Sequence, residues 1–240
     1  SYLLDKSKLN FSLKKQLFTG VKNMHLIPVS RWLATHLDNS FLSNYKKSVI
    51  NNGIDTKVFC PNHSSETKIK YNLYHKFTII GVANKWTQKK GFYEIINLSK
   101  FLDNNFIIIL VGLNIYQIKK LPNNVIGIKQ TENLEELVKL YSSADVFVNP
   151  TFEDTFPTTN LEALACGTPV ITYNTGGSPE TVSNKTGIVI EKGNIKGLKN
   201  AIEEVRNKGK NYYSSFCRER AQKLYDKDKK YLEYLELYEK

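Results

Sequence analysis

Short apolar segments alternate with amphipathic segments between residues 75 and 215. Most of the apolar segments are rich in β-branched residues, as strands buried on both faces of a parallel sheet are. The predicted strands are Phe77–Ala83, Phe106–Val111, Val125–Ile128, Val146–Asn149, Pro169–Tyr173 and Gly187–Ile190. The predicted helices are Gly91–Leu102, Leu134–Ala144, Thr159–Cys166 and Ile195–Lys208. The alternation predicts an α/β fold with a Rossmann-like, doubly wound parallel sheet.

The segments that flank this region follow other patterns. The first 60 residues predict a helix over Phe11–Val21, a strand over His25–Val29, a helix from Ser30 as its cap to about His36, and an extended stretch over Tyr45–Ile50. The polar segment Pro61–Lys70 is typical of a linker. Residues Asn211 to Lys240 predict one helix with repeated Tyr and Leu, which either crosses to a neighbouring domain or packs on its own.

Composition indicates an ordinary globular protein, because 41% of the 240 residues are hydrophobic. No apolar run reaches the roughly 18 residues that a membrane helix needs, and no secretory signal pattern opens the sequence. The three cysteines, Cys60, Cys166 and Cys217, are widely spaced and odd in number, which favours a reduced, cytoplasmic setting. Neither the cysteines nor the four histidines have metal-ligand spacing, so no metal site is predicted.

The net charge of +11 and the pI of about 9.3 suggest an anionic partner. Nucleic acid is disfavoured, because the lysines are scattered and no known DNA- or RNA-binding motif is present. A cationic face toward an anionic membrane surface, at the inner side of the membrane, is one remaining interpretation. A lysine-rich solubility surface is the other.

Residues 149–180, NPTFEDTFPTTNLEALACGTPVITYNTGGSPE, carry the candidate chemistry. Asp154 lies in a loop and Glu162 in the helix that follows it. A helix N-terminus suits a phosphate, and carboxylates accept hydrogen bonds from sugar hydroxyls. The segment therefore fits a ligand with a charged middle and hydroxyl-rich ends, such as a nucleotide-sugar. The alternative is an ordinary helix cap, in which Pro157 and Gly167 only mark the two ends of the helix.

The same segment resembles the signature of the retaining GT-B glycosyltransferases of the family 4, or group 1, type. Glu162 in LEALACGTPVI matches the second Glu of the signature, and Gly176, Gly177 and Glu180 match its later Gly-Gly and Glu. Asp154 stands where the family has its first Glu, with Glu153 one residue out of register. The wording EDTFPTTNLEALACGTPV is most similar to exopolysaccharide and colanic-acid-type members.

Upstream, Lys90 and Gly91 match the Lys-Gly of the family's diphosphate loop, but the Arg that usually precedes them is absent. The resemblance implies that Glu162 binds the ribose and that Asp154 contacts the donor sugar. It also implies a diphosphate held by Lys90 and by the backbone N–H groups around Phe156, Pro157, Thr158 and Thr159. The resemblance implies two further binding residues, Gly81 and Lys85, in the segment 81–92 at and after the end of the first strand of the domain.

The implied reaction moves a sugar from a UDP- or GDP-type sugar to a glycan or lipid-linked acceptor, with retention and without a metal or cofactor. The motif NGID at 52–55 matches the turn between the two domains of the family. We therefore expect the tail of an N-terminal acceptor domain at 1–60, a linker at 61–72, the donor-binding domain at 73–210 and a C-terminal helix at 211–240. Such a fragment, without most of its first domain, is expected to have little activity alone. The alternatives are a nucleotide-sugar binding module without catalysis and a GT-B-type nucleotide-sugar epimerase.

Overall fold

A computed structural model describes residues 5–239 and contains a six-stranded, wholly parallel sheet. A separate parallel pair consists of β1 (His25–Leu26) and β2 (Lys46–Lys47). The strands of the large sheet are β3 (Phe77–Val82), β4 (Phe106–Val111), β5 (Val125–Ile128), β6 (Val146–Asn149), β7 (Val170–Tyr173) and β8 (Gly187–Ile190). The helices are α1 (Ser7–Phe18), α2 (Arg31–Asp38), α3 (Glu66–Lys70), α4 (Phe92–Ser99), α5 (Ile115–Ile118), α6 (Leu134–Ser143), α7 (Thr158–Ala165), α8 (Ile195–Lys208), α9 (Lys210–Leu224) and α10 (Lys227–Tyr238), with a short 3-10 helix at Ser178–Thr181.

The spatial order of the large sheet is β5-β4-β3-β6-β7-β8. From β3 the chain builds one half through β4 and β5, and then returns to build the other half through β6, β7 and β8. This is the order of a doubly wound Rossmann-like sheet, and it confirms the predicted fold class. The order reverses between β3 and β6, and the loops that leave these two strands diverge there. A crevice at this position is where such folds bind their ligands.

The core lies on both faces of this sheet. The β-branched side chains of its central strands are fully buried, among them Ile79, Ile80, Ile108 and Val146. Strand boundaries could be predicted to within about a residue because these apolar runs end where the chain reaches solvent. One set of helices, α6, α7 and α9, packs together, and α4 packs with α8.

Two segments differ locally from their sequence patterns. The segment expected to be a linker contains α3, whose Thr67 is buried and whose Lys70 pairs with Glu136 of α6 at 2.8 Å. The expected single C-terminal helix is two helices, α9 and α10, which are separated at Tyr225 and Asp226. The break is stabilised by tertiary contacts, because Ile54 N–H donates to the Tyr225 carbonyl and Lys227 N–H donates to the Ile54 carbonyl.

Residues 5–60 contribute no strand to the large sheet. Helix α1 has no buried residue, and it begins earlier than its apolar pattern predicts. Strand β1 is shorter than predicted, because its pairing with β2 spans only two residues. Ser30 caps α2 as expected, since its hydroxyl accepts from Leu33 N–H at 3.1 Å.

Helix α9 fastens the segment after β2 to the large domain. The Arg218 guanidinium donates to the backbone carbonyls of Thr56, Phe59 and Ala165 at 2.8, 2.7 and 3.0 Å. These carbonyls belong to two distant parts of the sequence, and Ala165 is the last residue of α7. Arg218 therefore connects α7, which carries the candidate chemistry, to the segment before the domain.

Candidate functional site

A cavity of about 400 Å³ lies at the point where the strand order reverses, beside the carboxyl ends of β3 and β6. Its volume lies within the range of ligand pockets. The loop after β3, the loop after β6 and the first turn of α7 supply its lining. These residues are Val82, Ala83, Asn84, Lys85, Trp86, Lys90, Asn149, Asp154, Phe156, Pro157, Thr158 and Thr159.

Close backbone approaches hold the loops around the cavity. Gly176 has a left-handed φ of +56°, and a Cβ there would lie 1.8 Å from the Asp154 carbonyl oxygen. Gly177 N–H donates to that same oxygen at 3.0 Å, and a Cβ on Gly177 would lie 2.0 Å from the Thr155 carbonyl oxygen. The Gly-Gly pair therefore lets the backbone of the loop after β7 pack directly against the backbone of the Asp154 loop. A side chain at either glycine would collide with that loop.

Lys90 and Asp154, predicted separately as contacts to a ligand, are bonded to each other. Lys90 Nζ donates to Asp154 Oδ2 at 2.6 Å, and the Lys90 side chain is 41% exposed whereas that of Asp154 is 16% exposed. Asp154 Oδ1 also accepts from Phe156 N–H at 3.3 Å. The carboxylate is thus fixed at both oxygens, and the ammonium remains accessible from the cavity.

The neighbouring charges have different positions. Lys85 lines the cavity and has no ion-pair partner within residues 5–239. Lys89 instead pairs with Glu153 at 2.7 Å on the exposed surface, and neither residue lines the cavity. Lys85 is therefore better placed than Lys89 to contact an anion in the cavity.

Helix α7 presents its N-terminus to the cavity. Pro157 occupies the cap position and has no side-chain hydrogen bond to the first turn, so the first N–H groups lack a side-chain cap. Buried amides fix the helix start, because Asn149 Nδ2 donates to Asn160 Oδ1 and Asn160 Nδ2 donates to Thr181 Oγ1, both at 2.8 Å. A fixed helix terminus with unopposed N–H groups favours an anion such as a phosphate.

Glu162 lies one turn further along α7, on the same face as Thr158 and Thr159. It does not line the cavity itself, and its half-buried carboxylate accepts a hydrogen bond from Tyr141 Oη at 2.9 Å. Burial raises the pKa of the Glu162 carboxyl above its ordinary value, and the hydrogen bond from Tyr141 opposes this shift. The helical rise of about 1.5 Å per residue places the Glu162 Cα about 6 Å along the axis from the Cα of Thr158.

Not every predicted site residue faces the cavity. Gly81 is buried within β3, where a Cβ would press on the Leu110 and Trp86 side chains, and it does not line the cavity. Three residues were missed by the sequence interpretation: Asn149, Trp86 and Tyr141. Asn149 could have been found from the sequence, because it is a polar residue at the carboxyl end of a predicted strand. Trp86 and Tyr141 carry no such signal, because aromatic residues at these positions also fit a core.

The chain has other openings, but their positions do not suit the chemistry. A larger one, of about 530 Å³, lies beside the start of β8, not at the carboxyl ends of the strands. One of about 250 Å³ lies between α3 and α6, where Lys70 and Lys139 already pair with glutamates.

Within residues 5–239, no group of three or more His, Cys, Asp and Glu side chains is placed to hold a metal ion. No helix in that range is long and apolar enough to cross a membrane.

Residues 63–224 match the sequence model of the family described as glycosyl transferases group 1. The match covers more than half of the chain. The chain belongs to this family. Membership of the group 1 glycosyltransferases favours sugar transfer over an epimerase and over a binding module without catalysis.

Two curated relatives match about three quarters of the chain. The capsular polysaccharide biosynthesis glycosyltransferase CapM of Staphylococcus aureus is 28% identical over 209 residues, which cover 76% of this chain and 52% of that protein. A GDP-mannose-dependent monoacylated alpha-(1-6)-phosphatidylinositol monomannoside mannosyltransferase of Corynebacterium glutamicum is 25% identical, with 74% of this chain and 51% of that protein covered. The chain thus spans about half the length of the curated relatives it matches.

Solved structures share the fold at low sequence identity. Sucrose-phosphate synthase from Thermosynechococcus elongatus superposes with a TM-score of 0.83 at 22% identity, over 99% of this chain and 63% of that chain. Anabaena HepE in complex with UDP gives a TM-score of 0.84 at 19% identity, over 97% of this chain and 68% of that chain. HepE has also been solved in complex with UDP-glucose. The architecture of the group 1 chain described above is therefore that of the GT-B glycosyltransferases.

Proposed function

We propose that this chain is the donor-binding part of a retaining glycosyltransferase that moves a sugar from a nucleoside-diphosphate-sugar to a polysaccharide or lipid-linked acceptor. The observation that carries the proposal is the cavity at the strand reversal, which joins a helix N-terminus, Lys90 and Asp154 in one place. These groups match the phosphate and the hydroxyls of such a donor. UDP in HepE and GDP-mannose in the corynebacterial relative make a UDP- or GDP-type donor the expected class.

The donor follows the axis of α7 in this proposal. The diphosphate lies at the N–H groups of Thr158 and Thr159, with Lys90 and Lys85 as its cations. The ribose lies one turn away, where Glu162 accepts hydrogen bonds from its hydroxyls. The sugar lies on the opposite side of the diphosphate, against Asp154. Asp154 is one methylene shorter than the Glu of the family, so the sugar must approach the loop more closely.

Charge development explains why these groups would accelerate transfer. As the bond between the sugar and the β-phosphate breaks, its electron pair moves to the phosphate oxygen and negative charge grows there. Lys90 and the helix N-terminus stabilise that charge more strongly in the transition state than in the bound donor. The acceptor hydroxyl attacks on the face that the diphosphate leaves, and its proton passes to the departing diphosphate. The configuration at the anomeric carbon is then retained.

The proposal extends to the organisation of the chain. Residues 1–60 would be the tail of an acceptor-binding domain, and residues 73–210, extended by α9, would form the donor domain. Transfer would require the rest of the acceptor domain. A cytoplasmic position beside the membrane would suit a lipid-linked acceptor, and the net charge of +11 is compatible with an anionic surface.

Calorimetric titration of the chain with UDP, GDP and ADP at one fixed salt concentration tests the donor site. We expect one nucleotide to bind in preference to the others. Glu162→Ala should weaken that binding by about 2–3 kcal/mol, or roughly 30- to 150-fold, because charge-assisted hydrogen bonds are lost. Glu236→Ala, which removes the same group from an exposed position on α10, is the matched control and should bind normally. Failure of the folded chain to bind any nucleotide, or equal affinity in both variants, would contradict the proposal.

A further inference from the structure

Tyr141 of α6 directs its hydroxyl at the carboxylate of Glu162 on α7. The Oη–Oε2 distance is 2.9 Å, and the tyrosine side chain is fully buried. Burial and the adjacent Glu162 raise the pKa of the Tyr141 hydroxyl well above its ordinary value, so the phenol keeps its proton and acts as the donor. Within residues 5–239, no other side chain or backbone group bonds to the Glu162 carboxylate.

The ring of Tyr141 is held from two sides by aromatic residues of separate segments. Phe59 contacts it edge-on with ring centroids 6.4 Å apart, and Phe147 of β6 does so at 5.6 Å. Its backbone carbonyl accepts from Thr168 Oγ1 at 2.7 Å, just beyond the end of α7. The position of the hydroxyl is therefore set by core packing and does not depend on a flexible loop.

This contact determines how Glu162 can meet a ligand. A glutamate in mid-helix has three side-chain torsions, and the last of them is broad. With Oε2 bonded to a rigid donor, the carboxylate has a defined orientation, and its remaining lone pairs stay available. A carboxylate that is oriented before the ligand arrives loses less conformational entropy on binding.

We propose that Tyr141 is a positioning residue of the nucleotide site, which holds Glu162 in the orientation that recognises the two hydroxyls of the ribose. This inference rests on the proposed function, because it assumes that Glu162 binds the ribose. It adds that selectivity for ribose over a sugar without these hydroxyls depends on a core tyrosine that never touches the ligand.

The test compares a ribonucleoside diphosphate with its 2′,3′-dideoxy form by calorimetry. Tyr141→Phe keeps the ring and removes only the hydroxyl, so circular dichroism and the melting temperature should confirm an intact fold. The matched control is Tyr213→Phe, since Tyr213 is equally buried and its hydroxyl has no hydrogen-bond partner within residues 5–239. We expect Tyr141→Phe to weaken binding of the ribo form about three- to tenfold and to leave the dideoxy form unchanged. Tyr213→Phe should change neither.

The outcomes separate the two proposals. A wild-type chain that binds both nucleotides equally would overturn the ribose role of Glu162 itself. A wild-type preference that disappears in Glu162→Ala but persists in full in Tyr141→Phe would overturn only the role of Tyr141. An equal loss for the ribo and dideoxy forms in Tyr141→Phe would show a purely structural effect and would also overturn it.

Discussion

Lys90 Nζ lies 2.6 Å from Asp154 Oδ2, so two residues proposed to contact adjacent parts of one donor are also partners of each other. The ion pair joins the loop after β3 to the loop after β6, and both residues line the cavity. A diphosphate that approaches Lys90 meets an ammonium already shared with a carboxylate. Free nucleotide and nucleotide-sugar should therefore respond differently when that carboxylate is removed.

Asp154→Asn should bind free nucleoside diphosphate as well as the wild type, or up to about fivefold more tightly, because a partly exposed pair costs or gains at most about 1 kcal/mol. The same variant should lose the extra affinity that the sugar contributes. Calorimetry gives the ratio that reports this effect, which is the dissociation constant of the free nucleoside diphosphate divided by that of the nucleotide-sugar. This ratio should be lower in Asp154→Asn than in the wild type. Equal losses for both ligands would contradict a sugar contact.

The control for this experiment is the neighbouring acid. Glu153→Gln makes the same change in charge one residue away, but it removes an exposed pair with Lys89 outside the cavity. It should leave the ratio unchanged. If Glu153→Gln lowers the ratio and Asp154→Asn does not, the sugar contact belongs to Glu153.

Gly176→Ala should damage the site more than an ordinary glycine substitution does. Its Cβ would lie 1.8 Å from the Asp154 carbonyl oxygen, so the two loops must separate. We expect loss of nucleotide-sugar binding together with a lower melting temperature. Gly193→Ala is a matched control, because Gly193 also has a left-handed φ, of +77°, but has open space around its Cβ position. That control should cost about 1–2 kcal/mol of stability and leave binding intact.

Glu180→Gln should loosen the first residues of α2 without affecting the large sheet. The Glu180 carboxylate accepts from Arg31 N–H at 2.9 Å and from Trp32 N–H at 2.8 Å, whereas its backbone carbonyl is held separately by Arg220. Loss of a charged cap costs about 1–2 kcal/mol. Hydrogen exchange at the Arg31 and Trp32 amides should accelerate accordingly.

The exposed Glu219 of α9 supplies the control, as Glu219→Gln makes the same change away from α2. Unchanged exchange in Glu180→Gln would mean that Ser30 alone is sufficient to cap this helix.

Lys210 should make the stability of the protein depend on pH in the alkaline range. Its ammonium donates to the carbonyls of Ser142 and Ala144, both at 2.6 Å, and burial lowers its pKa from 10.5 to about 8. Between about pH 8 and 10.5 the unfolded chain therefore binds more protons at this residue than the folded chain does. The contribution of Lys210 to the free energy of unfolding must then rise with pH across this interval.

Urea unfolding at pH 8 and pH 9.5 measures this contribution. The wild type should gain on the order of 1 kcal/mol relative to Lys210→Met between these values. The exposed Lys223 provides the control, Lys223→Met, which should follow the wild type. The other groups that face Lys210 are Asp145, Lys68, Cys166 and Cys217. Burial raises the pKa of each thiol to about 12, so both thiols keep their protons in the folded protein between pH 8 and pH 9.5. Parallel curves for the wild type and Lys210→Met would contradict the prediction.

The sheet could be predicted from the sequence because strands such as Phe106–Val111 are buried on both faces and end abruptly. The local differences from the predicted elements occur where tertiary contacts determine the structure. Five-residue α3 is too short to show a helical period, and the α9–α10 break contains no Gly or Pro. At Tyr225 the chain leaves the helix to pair with Ile54, which lies far away in the sequence.

The site shows the same limit. Lys90 and Asp154 could each be found from residue type and motif, but their bond depends on how two distant loops approach each other. Tyr141 could be found only as part of a buried helix face, because nothing in its spacing indicates that its hydroxyl meets Glu162. Residue chemistry is visible in a sequence, whereas partners within a site emerge only with the packing of α6 on α7.

The hydrogen bonds from Arg218 to three backbone carbonyls determine where the chain can be truncated for expression of the donor domain. A boundary at residue 210, where the helical pattern suggests that the domain ends, would remove Arg218 together with Tyr213, Cys217 and Ala221, which are buried. The apolar side of α7 would then face water, and the truncated product would be prone to aggregate. A soluble donor domain should instead be cloned through Asp226, whose carboxylate also bonds to the Thr56 hydroxyl, and should begin before Ile54.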